Sequence, residues 1–278
     1  MFSTLITAAE LIGLIDAGSA RVVDCRFDLR DTAAGFEAYR QGHIPGAVYA
    51  HLGHDLSSEP VTDQGRHPLP SAPAMCTTFR RLGLSNDTQV VAYDDAHGMV
   101  AARLWWMLRY LGHDAVAVLD GGWQAWCAGE LPQVPGVESV PPGQFTGEAA
   151  PGRLVTLDEL ETGAALIDAR EPRRYRGETE PLDPRPGHIP GASNHWFMEN
   201  LDADGRFRSQ SELRQAFEAT LGTLPTGGSV HYCGSGVSAC HNVLAQVHAG
   251  LDEPRLYCGS WSEWCADPAR PAALGDGE

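Results

Sequence analysis

The stretch V-H-Y-C-G-S-G-V-S-A-C-H-N, residues 230–242, holds two cysteines separated only by small uncharged residues. Cys233 follows an apolar run, 229–232, and precedes a helical pattern over 237–249. The order strand, tight turn, helix turns several backbone N–H groups toward one point. Gly234 and Gly236 supply the unusual dihedrals and close backbone approach that such a turn needs. A sulfur there sits in a nest of donors at a helix N-terminus, where the dipole favours an anion by about 0.3–1 kcal/mol. The thiolate is the nucleophilic form, so Cys233 is expected to be an activated nucleophile for covalent catalysis. Cys240 falls on the following helix and reads as a small buried hydrophobe, as do Cys258 and Cys265.

Two other cysteine chemistries fit poorly. A phosphate-binding C-x-x-x-x-x-R loop would place its arginine at 239, where Ala239 stands. Without the guanidinium fork a phosphoryl dianion lacks its main partner. A metal site from Cys233, Cys240, His241 and Cys258 matches no usual ligand spacing.

The elements that must hold this loop come in duplicate. G-H-I-P-G-A occurs at 42–47 and again at 187–192. V-V-D-C-R (22–26) parallels L-I-D-A-R (166–170), and V-V-A-Y-D-D (90–95) parallels S-V-H-Y-C-G (229–234). L-D-G-G-W-Q-A-W (119–126) parallels Y-C-G-S-W-S-E-W (257–264), and each half begins with a capping box, T-A-A-E (7–10) and T-L-D-E (156–159). Near-continuous Val, Ala and Leu over 22–24, 90–93 and 116–119 suits strands buried on both faces of a parallel sheet. Helices are expected at 7–17, 71–82, 98–111, 156–163, 209–221 and 237–249. Alternating strands and helices make an α/β fold: two similar domains, each a mostly parallel sheet covered by helices on both faces. The division is expected as 1–131, a Pro- and Gly-rich linker at 132–153, and 154–278. Ligands of such sheets gather at the carboxyl ends of the strands, which is where Cys233 lies. The small cleft expected between two such domains suits a small-molecule substrate.

The 278 residues carry a formal net charge of −16, with 43 % hydrophobic and 20 % charged residues. That charge repels nucleic acid and anionic membrane surfaces. No apolar run reaches the length of a membrane span, and the N-terminus lacks the basic flank and apolar stretch of a leader. Seven cysteines, an odd number loosely spaced, argue for a reducing, cytoplasmic setting rather than a disulfide framework. A small anionic substrate would need local arginines to overcome the global charge.

In combination, the tandem halves, the twice-used G-H-I-P-G-A, the C-G-S-G-V-S loop confined to the second half and the S-W-S-E-W tail resemble the two-domain rhodanese family of sulfurtransferases, over nearly the whole chain. The resemblance implies two α/β domains with the catalytic cysteine, Cys233, in the second. It implies that Cys233 takes a sulfane sulfur as a persulfide and passes it to a thiol, such as thioredoxin or another thiol, or to cyanide, with no cofactor and no metal needed. The loop N–H groups, those of Gly234, Ser235, Gly236, Val237 and Ser238, would stabilise the persulfide. Asp94 stands where Cys233 has its counterpart, so the first half is expected to be catalytically silent.

The uncharged loop is similar to that of family members using 3-mercaptopyruvate, whereas the thiosulfate type carries basic residues there. The resemblance then assigns donor binding to Arg174 in D-A-R-E-P-R-R-Y-R-G (168–177), with Arg185 the nearest match for a second arginine. It also implies a Ser–His–acid relay in which Ser235 and His67 match. The expected acid falls at Gly53, with Asp55 two residues on. The loop E-T-E-P-L-D-P-R-P (178–186) departs from the mercaptopyruvate type, which keeps thiosulfate sulfurtransferase as an alternative, and its Glu180 and Asp183 would oppose an anionic donor of either kind. A different class, a protein sulfur-relay module with little small-molecule turnover, would require an exposed Cys233. His43, His188, Asp24 and Asp168, present in both halves, read as braces of the turns, and the tryptophan pairs as core.

Overall fold

The apolar runs fold into two five-stranded sheets, every pairing parallel. The computed structural model describes residues 1–60, 64–160, 165–222 and 228–276. The first sheet takes β1 (Leu5–Ile6), β2 (Ala20–Asp24), β3 (Val48–Tyr49), β4 (Gln89–Tyr93) and β5 (Val116–Leu119) in the order β1-β5-β4-β2-β3. The second takes β6 (Leu154–Val155), β7 (Ala165–Asp168), β8 (Ser193–Asn194), β9 (Ser229–Tyr232) and β10 (Arg255–Tyr257) in the order β6-β10-β9-β7-β8. The repeat in sequence is thus a repeat in topology, strand for strand. In each sheet the order reverses beside the fourth strand, so β4 and β9 end at the switch point where ligands of α/β sheets bind.

Helices flank both sheets: α1 (Ala8–Asp16), α2 (Ala34–Gln41), α3 (Ala72–Arg81), α4 (Met99–Tyr110) and α5 (Gly122–Ala128) in the first half. The second half has α6 (Pro172–Tyr175), α7 (Gln210–Leu221), α8 (Ser238–His248) and α9 (Ser260–Trp264). Alternation along β7 shows the layering. Leu166 joins Val155, Tyr175, Tyr232 and Trp261 on one face, while Ile167 joins Leu213, Phe217 and Ala245 on the other. Both capping boxes form, with the Glu10 and Glu159 carboxylates accepting from the Thr7 and Thr156 N–H groups at 2.9 and 3.0 Å. The helix expected over 156–163 is a single 3-10 turn, Leu157–Glu159, because Leu160 leaves the helical region at ψ 85°; residues 161–164 lie outside the described residues.

The chain divides into two compact units: Met1–Ser58, Pro70–Ala150 and Asp204–Arg206 form unit 1, and Glu59–Leu69, Pro151–Ala203 and Phe207–Glu278 form unit 2. Two findings differ from the simple tandem read in the sequence. Glu59–Leu69, from the first half, belongs to unit 2. The Pro- and Gly-rich stretch read as a linker is, as far as Ala150, part of unit 1. Val134 bridges to His43, the Gly143 N–H donates to the Arg80 carbonyl, and the Ala150 N–H to that of Tyr110. An extended, proline-rich segment satisfies its remaining backbone groups against a neighbour as well as in a sheet.

The duplicated polar residues brace the turns in both units. Asp24 and Asp168 end β2 and β7, and each accepts bidentately from Arg26 or Arg170, with closest approaches of 2.6 Å. Each arginine also donates to the first glycine carbonyl of its G-H-I-P-G-A turn, Gly42 or Gly187, at 2.7 Å. His43 and His188 stack on Tyr39 and Tyr175 and bond those residues' carbonyls through Nδ1 at 2.8 Å. Trp105, Trp106, Trp126 and Trp261 are fully buried, whereas Trp123 and Trp264 are partly exposed.

Burial lowers the proton affinity of His113, His188, His195, His248 and, down to about 3, His231. The unfolded chain therefore binds more protons below the ordinary histidine value of about 6.5, and stability falls as pH falls through that value. For His231 alone the slope is about 1.4 kcal/mol per pH unit. Urea unfolding is expected to give a constant stability between pH 8 and 7 and a progressive loss from about pH 6.5 to 5. A flat profile across that window would contradict the buried neutral histidines.

Candidate active site

Strand β9 delivers Cys233 to the sheet's carboxyl edge, and the sulfur-bearing residue is 1 % exposed. Its backbone is pinned on both sides. The Cys233 N–H donates to Ser260 Oγ at 3.1 Å, and its carbonyl accepts from the Trp261 N–H at 2.9 Å. The Gly234 carbonyl accepts from the Ser262 N–H at 2.9 Å. Thus the turn between β10 and α9 is the floor of the loop. Ser260 takes a left-handed conformation, φ 56°, and its Oγ donates onward to the Tyr257 carbonyl at 3.0 Å. Gly236 stands at φ 74°, and a Cβ there would meet the Cys258 carbonyl at 2.3 Å, so only glycine fits. The loop enters α8 through Val237 and Ser238. Among the described residues, the N–H groups of Gly234, Ser235 and Val237 donate to no other group of the chain. Cys240, as read from the sequence, is helix packing, fully buried with its thiol donating to the Gly236 carbonyl.

The matching turn of unit 1 shows what such a loop holds. Asp94 ends β4 fully buried, and its carboxylate accepts from the N–H groups of Ala96, Gly98, Val100 and Ala101 at 2.7–2.8 Å. Its carbonyl accepts from the Trp123 N–H at 2.8 Å, as that of Cys233 accepts from Trp261. Burial pushes the Asp94 carboxyl up, against the four N–H donors. Here the strand-end loop carries its own anion.

Around the Cys233 loop stand two arginines. A Cβ built on Gly234 would lie 2.8 Å from Arg66 Nη2 and 3.5 Å from both terminal nitrogens of Arg174. Arg174 comes from α6, one turn opened by Pro172, too short for helical periodicity to mark it. Arg66 was missed from the sequence altogether, since it lies far away in the first half. It arrives on the segment that docks on unit 2. The Arg66 N–H donates to Ser262 Oγ at 3.1 Å, and Gly65, at φ 79°, comes so close that a Cβ would lie 2.7 Å from the Gly259 carbonyl. The same segment carries His67, whose Nδ1 is 2.8 Å from Ser235 Oγ.

Arg185 does not stand with them. Its guanidinium donates to the carbonyls of Pro268 and Arg270 at 3.0 and 2.7 Å, tying down the C-terminal segment. The loop that was to carry a second donor-binding arginine instead carries carboxylates. Glu180 accepts from Arg174 at 2.7 Å and from Arg170 at 3.4 Å, and Asp183 pairs with Arg174 at 3.2 Å and closely with Arg66. Burial pushes the Asp183 carboxyl up, and Arg66 opposes the shift. Asp55 accepts from the His51 N–H at 2.9 Å and pairs with Arg81, so its carboxylate is engaged inside unit 1, and Gly53 carries no acid.

The arrangement is that of a buried cysteine in a donor-rich loop, a serine–histidine pair, and two guanidiniums above the residue next to the sulfur. Comparison with known proteins points the same way. The profile of the rhodanese-like domain matches residues 7–129 and again 155–267. A probable 3-mercaptopyruvate sulfurtransferase of Pseudomonas aeruginosa is 47 % identical over 98 % of this chain and 98 % of its own. A putative thiosulfate sulfurtransferase of Mycobacterium tuberculosis is 43 % identical over 98 % of this chain and 97 % of its own. Among solved structures, 3-mercaptopyruvate sulfurtransferase from Leishmania major superposes with a TM-score of 0.85 at 33 % identity, covering 94 % of this chain and 74 % of that one.

Ser260→Ala removes the acceptor of a buried N–H, and about 1–3 kcal/mol of stability is expected to be lost. Ser260→Gly also loses the acceptor but relieves the left-handed backbone, so it should cost less than the alanine. Urea unfolding of the two variants checks the order; equal losses would mean that the backbone there is unstrained.

Proposed function

The chain belongs to the rhodanese family and is a sulfurtransferase, and we propose that it moves sulfur from 3-mercaptopyruvate through a persulfide on Cys233. Arg174 and Arg66 bind the donor's carboxylate and keto oxygen, placing the donor's thiol sulfur against the Cys233 thiolate. Attack forms the sulfur–sulfur bond while the donor's carbon–sulfur bond breaks, its electron pair passing into the enolate of pyruvate. The donor's thiol proton is carried by Ser235 and His67 to the enolate carbon, and pyruvate leaves. The N–H groups of the loop, from Gly234 to Ser238, hold the persulfide anion as an oxyanion hole holds oxygen. A small thiol acceptor or cyanide then takes the outer sulfur, and Cys233 returns as the thiolate. Unit 1 is silent in this scheme, because Asp94 fills its loop with a carboxylate that cannot carry sulfur.

The observation that carries the reading is the meeting of two guanidiniums over Gly234, beside a buried cysteine whose loop has no charge. Thiosulfate is the second reading, favoured by the arginine pair itself. Against it, Glu180 and Asp183 match the two cations charge for charge, which leaves little net attraction for a dianion. Relay from a protein donor needs an accessible sulfur, and 1 % exposure argues against it. The seven free thiols support a reducing, cytoplasmic setting. No described helix is long and apolar enough to cross a membrane.

Incubation with 3-mercaptopyruvate is expected to add one sulfur atom to the Cys233 peptide, read by mass spectrometry; label on Cys240 or Cys258 instead would refute the assignment. Cys233→Ala should abolish transfer with the fold retained. Arg174→Met should lower kcat/KM for mercaptopyruvate by about 10–100-fold, the worth of a charge-assisted bidentate contact. In the wild type, a higher kcat/KM for thiosulfate than for mercaptopyruvate would sink the choice of donor.

A further inference from the structure

The carboxylate of Asp183 occupies the position that the proposed donor's carboxylate would take. It reaches both guanidiniums at once, pairing with Arg66 Nη1 through one oxygen and with Arg174 Nη2 at 3.2 Å through the other. Both of those groups overhang Gly234. The two acids of this loop are not equivalent. Glu180 is part of the scaffold: its carboxylate accepts the N–H groups of Leu182 and Asp183, both at 3.1 Å, and reaches Arg170, itself locked to Asp168. Asp183 accepts from the two site arginines only, among the described residues, although its side chain is 2 % exposed. Arg66 Nε is buried with no partner, a donor left over beside the pair.

Resting on the sulfurtransferase reading above, we propose that Asp183 is a specificity-determining residue: an internal carboxylate that occupies the Arg66–Arg174 pair and is exchanged for the donor's carboxylate. With Asp183 and Glu180 in place the pair offers hydrogen-bond donors without net positive charge. A monoanionic carboxylate that replaces the Asp183 carboxylate restores the same balance. A dianion such as thiosulfate overloads it, because each missing positive charge counts twice against a double charge. The arginines supply geometry, and Asp183 sets how much anion they accept.

Asp183→Asn retains the shape and removes the charge. The ratio of kcat/KM for thiosulfate to that for mercaptopyruvate is expected to rise by about tenfold or more, with KM falling for both donors. Asp183→Glu retains the charge and should keep the ratio within a few-fold of wild type. Arg66→Gln, which leaves the pair with an excess of negative charge, should move the ratio the opposite way and keeps the test decisive where Asp183→Asn folds poorly. Wild-type protein measured alongside separates the two levels. If wild type loads no sulfur on Cys233 from either donor, the proposed activity falls and this role with it. If wild type loads and Asp183→Asn leaves the ratio unchanged, or raises KM for both donors, the role of Asp183 alone is overturned, and the carboxylate merely orients the arginines.

Discussion

Much of unit 2 hangs on one buried ion pair. Asp168 ends β7, and Arg170, two residues on, returns to grip it bidentately with almost no exposure on either side chain. The guanidinium still has donors to spend. It bonds the Gly187 carbonyl, reaches Glu180, and lies 5.0 Å from the centre of the Trp261 ring. Through Gly187 it sets the turn before β8. Through Trp261, whose N–H holds the Cys233 carbonyl, it braces the floor of the loop. Through Glu180 it sets Arg174. Removing one partner of such a pair strands a buried charge at a cost of about 3–5 kcal/mol. Unit 1 repeats the device with Asp24, Arg26, Gly42 and Trp123, which shows that it belongs to the fold rather than to the chemistry.

The two units differ in the occupant of the strand-end loop. A turn of this shape collects N–H groups whose partial charges do not cancel, and an anion there is stabilised. In unit 1 the occupant is a carboxylate supplied by the chain itself, held by four N–H groups and chemically inert. In unit 2 the position is given to a thiol, and three N–H groups are left with no partner in the described chain. Exchange of one residue type at one strand end thus separates a turn that holds its own anion from one whose N–H groups are open to another. The same economy recurs above the loop, where Arg66 and Arg174 meet carboxylates of the chain itself.

Much was legible in the sequence because it depends on local pattern. Buried parallel strands read as continuous Val, Leu and Ala runs; Thr-x-x-Glu marks a helix start; and a Cys between a strand and a helix, amid glycines, has few other uses. The repeat made each reading twice and so fixed the α/β tandem, whereas the strand order came only from the structure. Asp94 in place of cysteine was visible by alignment of the chain with itself. Short elements escaped: α6 has four residues, and no periodicity can announce one turn.

Three things only the tertiary structure decided, each because it joins residues far apart in the chain. Arg66 reaches the second unit beside the expected His67, on a segment that sequence order assigns to the first, and no motif marks it as facing the loop. Arg185, plausible by position, faces the carbonyls of Pro268 and Arg270 instead of the loop, since a long side chain follows the nearest unsatisfied acceptors rather than its place in a motif. Glu180 and Asp183 looked like negative charge merely near the arginines, and folding turns them into the arginines' partners. Sequence alone pointed to the Cys233 thiol and determined the scaffold beneath it, because both rest on contiguous residues and a repeated pattern. The charges that face that thiol were settled only by folding, because they depend on where side chains distant in sequence end and on which partners they find there.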